Sequence, residues 1–303
     1  KNEKKTNFKP LVSIIINCHN AGDFILKSIK SVLNQNYKNW ELIIFDNNSK
    51  DKTSSIVKKF LKNKRIKYYK SNLFLNLYHA RNLALKKSKG EFVSFLDADD
   101  WLVKDKLKKQ IKFLFKNKNI NIIYSNLYLF NQRNNEKKIF SKEMLYNGKI
   151  TQQLLDDFKM PILTTLIRKK IFKKYKFDAN YNIIEDFDLF IRVSLEEKIL
   201  SMQEPLAFYR LHSSNMSSRR LDLNISELEN WIKKNKIKKK FKNFNYTKIF
   251  RKIKTLKIKN NLLMGHKIKT IKELIKSPIE INNFKFLPFL LLPNKVAKKI
   301  ILK

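Results

Sequence analysis

Phe92-Val93-Ser94-Phe95-Leu96-Asp97-Ala98-Asp99-Asp100 decides the fold. An apolar run suited to a buried strand passes directly into three carboxylates, and carboxylates at a strand end want a cation. A central strand of an open α/β sheet delivers its C-terminal end to the ligand crevice, so acids there face a bound molecule. Hard oxygen ligands on an Asp-x-Asp spacing suit Mg2+ or Mn2+, ions that bridge a few carboxylates to substrate phosphates. The plainer alternative is a solvated strand-to-helix turn in which Asp100 or a neighbour caps a helix starting near Trp101.

The flanking sequence favours the crevice. Leu11 to Asn17 reads as a buried strand, Cys18 to Asp23 as a polar turn, and Phe24, Ile25, Ile29, Val32 and Leu33 fall at helical spacing. A second strand, Glu41 to Phe45, ends in the turn-rich Asp46-Asn47-Asn48-Ser49-Lys50-Asp51 before a helix over Thr53 to Leu61. Ile66 to Tyr69 is a short strand, Leu77 to Lys87 a helix, Glu91 to Leu96 the fourth strand, and Leu107 to Phe115 an amphipathic helix. This alternation predicts an α/β, doubly wound and mostly parallel sheet with helices on both faces, its polar strand ends gathered at one edge.

Five blocks together resemble the family 2 glycosyltransferases of the GT-A fold. They are Val12-Ser13-Ile14-Ile15-Ile16-Asn17-Cys18-His19-Asn20; Ser31 through Ser49, with Trp40-Glu41-Leu42-Ile43-Ile44-Phe45-Asp46-Asn47-Asn48 at its end; Ala80-Arg81-Asn82; Gly90 through Asp100; and Ile184-Glu185-Asp186-Phe187-Asp188-Leu189-Phe190-Ile191-Arg192. They follow the family's order over about residues 10 to 216, and their joint occurrence is far more specific than any one block. The resemblance implies an inverting, metal-dependent enzyme that takes a hexose or N-acetylhexosamine from a nucleotide-sugar, a UDP-sugar by expectation. The acceptor would be a glycan or lipid-linked oligosaccharide hydroxyl in surface polysaccharide or lipopolysaccharide synthesis.

By the same resemblance Asn17, His19, Asp46 and Asn47 would line the nucleoside pocket, Asp97 would approach the ribose, and Asp99 would ligate the Mn2+ or Mg2+ bridging the diphosphate. Three positions depart from the family pattern: Asn17 and His19 stand where a small polar residue and Tyr are usual, and Asn47 where a second Asp is usual. An imidazole can still stack on a base, and the Asn47 amide both accepts and donates. Without a ligand, His19 is simply a polar turn residue. Arg81 resembles the family's donor-contacting arginine, able to pair with pyrophosphate or base through its fork, with a surface arginine as the alternative. In the fifth block Phe187, Phe190, Ile191 and Leu195 place Glu185 and Asp186 in a first helical turn, where acids are favoured by the helix dipole alone. The resemblance makes Asp186 the general base, with Glu185 or Asp188 shaping the acceptor side. His212, in Tyr209-Arg210-Leu211-His212 after a strand over Ser201 to Phe208, would complete the metal site, an imidazole suiting Mn2+ better than Mg2+.

The length of 303 residues fits one catalytic domain and an extension: a flexible basic arm over 1–10, the GT-A domain over 11–220, and a basic, largely helical extension over 221–303. The single Cys18 excludes an internal disulfide and suits a reducing compartment. The N-terminal stretch shows no signal-peptide or anchor pattern, and Phe284 to Pro293 is too short to span a bilayer, so the expectation is a cytoplasmic protein, peripheral on the membrane. The net charge of +40 accompanies a Lys-, Asn-, Ile- and Phe-rich, Gly-poor composition, which a biased genome would give uniformly. The charge is not uniform: residues 221–303 hold 22 Lys and Arg against 5 Asp and Glu, about twice the net charge per residue of the remainder. Basic segments interleaved with Trp231, Phe241, Ile249, Ile253, Leu256 and Ile258, and a final basic helix, point to an anionic membrane surface into which Phe286, Phe289 and Leu290 would insert. A solvated helical extension that binds nothing ranks next, and nucleic acid or another partner last, since no recognition helix, RNA-binding or zinc-finger pattern accompanies the charge. Two other readings are a catalytically silent basic scaffold, prompted by His19 and Asn47, and a sugar nucleotidyltransferase, for which a Gly-rich phosphate loop near the first strand is lacking.

Overall fold

The structure is a computed structural model that describes residues 9–213, 215, 219–275, 286–294 and 296. The chain divides into two compact units, one running to Leu154 and resuming over Phe158–His212, the other made of Leu155–Asp157 and the residues from Ser213 onward. The calls for residues 1–8, Met216, Phe284, Lys285 and the final basic helix fall outside the described residues. At the arm's end, the carbonyls of Lys9 and Pro10 accept hydrogen bonds from Asn39 Nδ2 and Tyr37 Oη, both at 2.5 Å.

The first unit runs β1 (Val12–Cys18), α1 (Ile25–Leu33), β2 (Trp40–Asp46), α2 (Thr53–Lys58), β3 (Ile66–Lys70), α3 (Leu77–Lys87), β4 (Phe92–Asp97), β5 (Trp101–Leu102), α4 (Lys106–Lys116), β6 (Ile122–Asn131), β7 (Glu136–Ile139), α5 (Thr151–Asp156), β8 (Leu166–Arg168), α6 (Ile171–Lys174), α7 (Glu185–Ser194) and β9 (Ile199–Leu211). Among the described residues, nine strands form one sheet in the order β3-β2-β1-β4-β8-β6-β9-β5, with β7 beside β6. The long registers, β2 on β1, β4 on β1, β3 on β2 and β9 on β6, are parallel. The antiparallel pairings of β8, β5 and β7 are two to four residues each.

Strand alternation sends Val12, Ile14, Ile16, Leu42, Ile44, Phe92 and Leu96 to one face. There they pack with Ile25, Ile29 and Val32 of α1, Val57 of α2, and Leu107, Ile111 and Leu114 of α4. The opposite face carries α3 on β1 and β2, and Phe95 of β4 meets the rings of Phe172 and Phe177 edge-on. This is the predicted doubly wound arrangement, and β1, β2 and β4 end side by side at Cys18, Asp46 and Asp97. No helix starts near Trp101: Trp101 and Leu102 pair with Phe208 and Ala207, so the acidic turn leads into an edge strand and the helix waits until Lys106. Gly90 precedes β4 where a Cβ would stand 2.6 Å from the Ser13 amide nitrogen and 2.7 Å from the Leu11 carbonyl oxygen, so only glycine lets the chain enter so close to β1.

In the second unit α8 (Leu221–Asn235), α9 (Thr247–Leu263), α10 (Lys267–Ile275) and α11 (Leu287–Leu291) follow one another. Leu221, Ile225, Leu228, Trp231, Ile232 and Phe241 are buried, with the Trp231 and Phe241 rings 5.5 Å apart edge-on. Phe286, expected to insert into a membrane, is instead buried against Ile258 and Leu262 of α9, with Phe289 and Leu290 packed on the same cluster. Among the described residues no helix is long and apolar enough to cross a membrane.

The core also takes in a lysine. Lys106, at the start of α4, is fully buried, and its Nζ donates to Ser94 Oγ (2.9 Å), Gln110 Oε1 (2.8 Å) and the Thr165 carbonyl (3.1 Å), all neutral acceptors. Burial pulls its pKa down to about 7. Between that value and the ordinary lysine range the unfolded chain holds a proton that the folded chain lacks, so stability rises with pH across this window. From about pH 7.5 to 9, urea unfolding of the wild type should gain about 2 kcal/mol relative to Lys106→Met, at a limiting slope of about 1.4 kcal/mol per pH unit. Parallel pH dependences in the two proteins would show that Lys106 is charged throughout.

Candidate active site

The acidic turn is fastened from both sides. Ser28 Oγ on α1 lies 2.7 and 2.6 Å from the carbonyl oxygens of Ala98 and Asp100. From β9, Arg210 Nε donates to the Asp99 carbonyl at 2.7 Å, and the Arg210 amide donates to Asp100 Oδ1 at 2.8 Å. Asp100 is fully buried, and burial pushes its carboxyl well above the usual range, with the charges of Asp99 and Asp97 adding to the effect. The turn thus holds Asp100 inward as a structural group and leaves the Asp97 and Asp99 side chains each about a third exposed.

Asp99 and His212, both expected at a metal, meet each other directly, with Oδ2 2.9 Å from Nε2. The imidazole leans on Phe24 with ring centroids 4.5 Å apart, which fixes its plane. Among the described residues no group of three or more His, Cys, Asp and Glu side chains is arranged to hold a metal ion.

Arg81 differs from the expectation of a fork presented to a donor. Its side chain is 6 % exposed, Nη2 donates to Asp97 Oδ1 at 2.9 Å, and Nη1 is paired with Glu185 Oε1. The guanidinium joins β4 to the first turn of α7 and lies 5.6 Å from the Phe177 ring centroid. Glu185, expected on the acceptor side, is 2 % exposed and serves this bridge. Asp188 is likewise turned inward: its Oδ2 accepts from Arg192 Nε and Nη2 at 2.9 and 2.6 Å one helical turn on, so it braces α7 rather than reaching an acceptor.

Asp186, between these two, is half-buried, and its Oδ1 accepts the Phe187 amide at 2.8 Å. Burial raises its carboxyl to about 6, while Arg81 and the Phe187 amide pull it down and Asp97 pushes it up. A carboxylate poised near neutrality can take a proton from a hydroxyl without being permanently protonated itself.

The side chains expected at the nucleoside are split. Asp46 has no exposed surface; Oδ1 accepts the Ser49 amide at 2.8 Å and Oδ2 the Tyr68 hydroxyl at 2.5 Å, so it builds the loop after β2 and does not line a pocket. Asn47 is also occupied, donating to the Leu75 carbonyl (2.7 Å) and accepting the Leu75 amide (2.8 Å), which closes this loop on the segment before α3. Asn17 stands between Phe45 and Asp97 in register, and its buried Nδ2 has no hydrogen-bond partner among the described residues. His19 is exposed. Its Nδ1 lies 2.8 Å from the Asn47 carbonyl, which can only accept, so the proton sits on Nδ1 and Nε2 accepts from Asn20 Nδ2 at 3.1 Å. The Phe74 ring lies edge-on at 4.6 Å.

The residues that sequence reasoning passed over are Arg210 and Ser28. Arg210 lies in the same Tyr209-Arg210-Leu211-His212 block as His212, two residues away on a strand and hence on the same face, which was the available signal. Ser28, within an amphipathic helix, carried none.

The family model for Glycosyl transferase family 2 matches residues 13–176. A glycosyltransferase of Haemophilus influenzae is 30% identical over 233 residues, covering 75% of this chain and 90% of that protein. The Escherichia coli UDP-Glc:alpha-D-GlcNAc-diphosphoundecaprenol beta-1,3-glucosyltransferase WfgD is 32% identical over 212 residues, covering 69% of this chain and 81% of WfgD. Among solved structures, S. aureus TarS 1-349 superposes with a TM-score of 0.59 at 17% identity, over 86% of this chain and 88% of that one. The mannosyltransferase PcManGT from Pyrobaculum calidifontis, in complex with GDP-Man and Mn2+, superposes with a TM-score of 0.60 at 13% identity, over 97% of this chain and 85% of that one. The matched span takes in the strand-helix frame, the acidic turn and the Arg81 helix, and with relatives covered over most of their length, this chain belongs to Glycosyl transferase family 2 and is a glycosyltransferase of GT-A-like fold.

Proposed function

We propose that the protein is an inverting, metal-dependent transferase that moves a hexose or N-acetylhexosamine from a UDP-sugar to a hydroxyl of a lipid-linked glycan acceptor. The observation that carries this reading is the Arg81 bridge, which ties Asp97 at the end of β4 to the helical turn holding Asp186. Donor-side and acceptor-side carboxylates thereby share one site. The UDP and lipid-linked parts are supported by WfgD and its E. coli counterpart WfaP, whose names specify UDP-Glc and a diphosphoundecaprenol-linked GlcNAc. TarS 1-349 has also been solved with UDP-GlcNAc, and PcManGT with GDP-Man makes GDP-sugars the comparison donors.

Asp99 and His212, a carboxylate beside an imidazole, would hold a divalent ion, and an imidazole suits Mn2+ better than Mg2+. Such an ion supplies charge neutralisation to the departing nucleoside diphosphate. Asp186 accepts the proton of the acceptor hydroxyl as its oxygen attacks the anomeric carbon from the face opposite the diphosphate. The C–O bond to the diphosphate breaks with its electron pair staying on the leaving oxygen, so no protein acid is required and one carboxylate suffices. Asn17 Nδ2, buried and without a partner among the described residues, is a donor for the nucleoside, and the exposed His19 ring offers a stacking surface for its base. Asp97, Asp99 and Asp186 together weigh against a catalytically silent scaffold.

Nucleoside diphosphate release, followed across UDP-, GDP- and dTDP-sugars with mixed glycan acceptors, tests the reading. UDP-sugar turnover is expected, and turnover confined to GDP- or dTDP-sugars would overturn the donor assignment. Asp99→Asn should lose both donor affinity and turnover, since the amide keeps the size but removes the charge facing the dication. Undiminished activity in EDTA would remove the metal. Asp186→Asn should lower kcat by about two to four orders of magnitude with donor affinity nearly unchanged. In the wild type, activity should fall as pH drops through about 6, because the base must be ionised. Calorimetry showing lost donor binding in folded Asp186→Asn would make this residue a donor ligand instead.

A further inference from the structure

The apolar residues that the basic unit leaves in water are not the ones its sequence advertises. Phe286 is buried, and Trp231 and Phe241 lie in the core of the unit. Helix α10 instead exposes Ile268 (72 %), Ile271 (42 %) and Ile275 (76 %). At about 100° per residue these three share one stripe within roughly 60° of arc. Thr270, fully buried, and Leu274, packed on the Phe286 cluster, hold the helix to its unit through a different face, so the stripe is not needed for packing. Lys269 and Lys272 lie along one side of it, while Lys267 on the other donates its Nζ to the Leu292 carbonyl at 3.0 Å. Met264, 62 % exposed at the end of α9, stands just before the helix.

We propose that the Ile268–Ile271–Ile275 face of α10 is a docking surface for an anionic lipid bilayer, with α10 lying in the plane of the interface. Three adjacent exposed isoleucines call for hydrocarbon, and the exposed Lys269 and Lys272 along their margin call for a layer of negative charge with the apolar phase directly beneath it. Nucleic acid would satisfy the lysines and leave the isoleucines in water. A second copy would satisfy the isoleucines and bring together two tails that each carry 22 Lys and Arg against 5 Asp and Glu. A bilayer containing phosphatidylglycerol meets both demands. This surface lies outside the catalytic residues, and it stands whether or not the donor and acceptor assignments above hold.

The test uses the full chain and sedimentation with vesicles of phosphatidylcholine, with or without phosphatidylglycerol. The wild type should pellet with the anionic vesicles only, and about 0.5 M NaCl should weaken the binding. Ile268→Ser/Ile271→Ser/Ile275→Ser leaves the net charge untouched and should reduce vesicle affinity roughly tenfold or more. Its circular dichroism and its activity on a soluble acceptor should match the wild type. A single Ile271→Trp variant gives an independent readout: its fluorescence should shift to the blue on adding anionic vesicles. Undiminished binding by the triple serine variant, an Ile271→Trp spectrum that ignores the vesicles, or a wild type that retards RNA but does not pellet would each overturn the proposal.

Discussion

Arg81 is the constraint on which the site depends. A guanidinium taken out of water is tolerable only with its charge matched, and the match comes from two elements far apart in sequence, Asp97 on β4 and Glu185 on α7. The Arg81–Glu185 half is almost fully buried on both sides, and removing one member of such a pair ordinarily costs about 3–5 kcal/mol because the other is left uncompensated. The pair therefore acts less as a source of net stability than as a geometric lock. Neither the end of β4 nor the first turn of α7 can move without exposing a charge to the protein interior. Asp186 sits next to the locked residue, so the position of the proposed base follows from it.

The acidic turn obeys the same logic with different parts. Asp97, Asp99 and Asp100 repel one another, and the backbone carrying them must be held against that repulsion. Ser28 and Arg210 do this through main-chain oxygens, which leaves the Asp97 and Asp99 carboxylates for other partners. Asp100 gives up its exposure altogether and receives the Arg210 amide. Arg210 and His212 lie on one face of β9, so a single strand supplies both the brace for the turn and the imidazole beside Asp99.

Much of the frame was legible because it rests on local periodicity. The helix predicted over Leu77 to Lys87 is found with those limits, and the buried strands before Asn17, Asp46 and Asp97 fall within a residue or two of their expected ends. What could not be read is set by non-local partners. Trp101-Leu102 reads equally well as a helix start, and only pairing with Phe208 and Ala207 makes it a strand. β9 runs to Leu211, past the expected end at Phe208, because β6 keeps pairing with it across irregular register. Asp46 and Asn47 sit in the block that marks a nucleoside pocket, but Tyr68 and Leu75 claim their polar atoms from other segments. Lys106 is indistinguishable in sequence from the surface lysines that follow it, and Phe286 from an exposed anchor. Each is decided by which neighbours arrive in three dimensions.

If Arg81 both locks α7 and favours the ionised form of the base, removing its cation must make Asp186 hold its proton more tightly. The most direct test is the pH dependence of kcat/KM for the acceptor, at saturating donor, in Arg81→Met against the wild type. Arg81 pulls the Asp186 carboxyl down from where burial would put it, so the acidic limb, near 6 in the wild type, should move to higher pH in the variant, and the plateau should fall as well. An unmoved acidic limb in a folded Arg81→Met protein would contradict the account, because Arg81 and Asp186 would then not share a site.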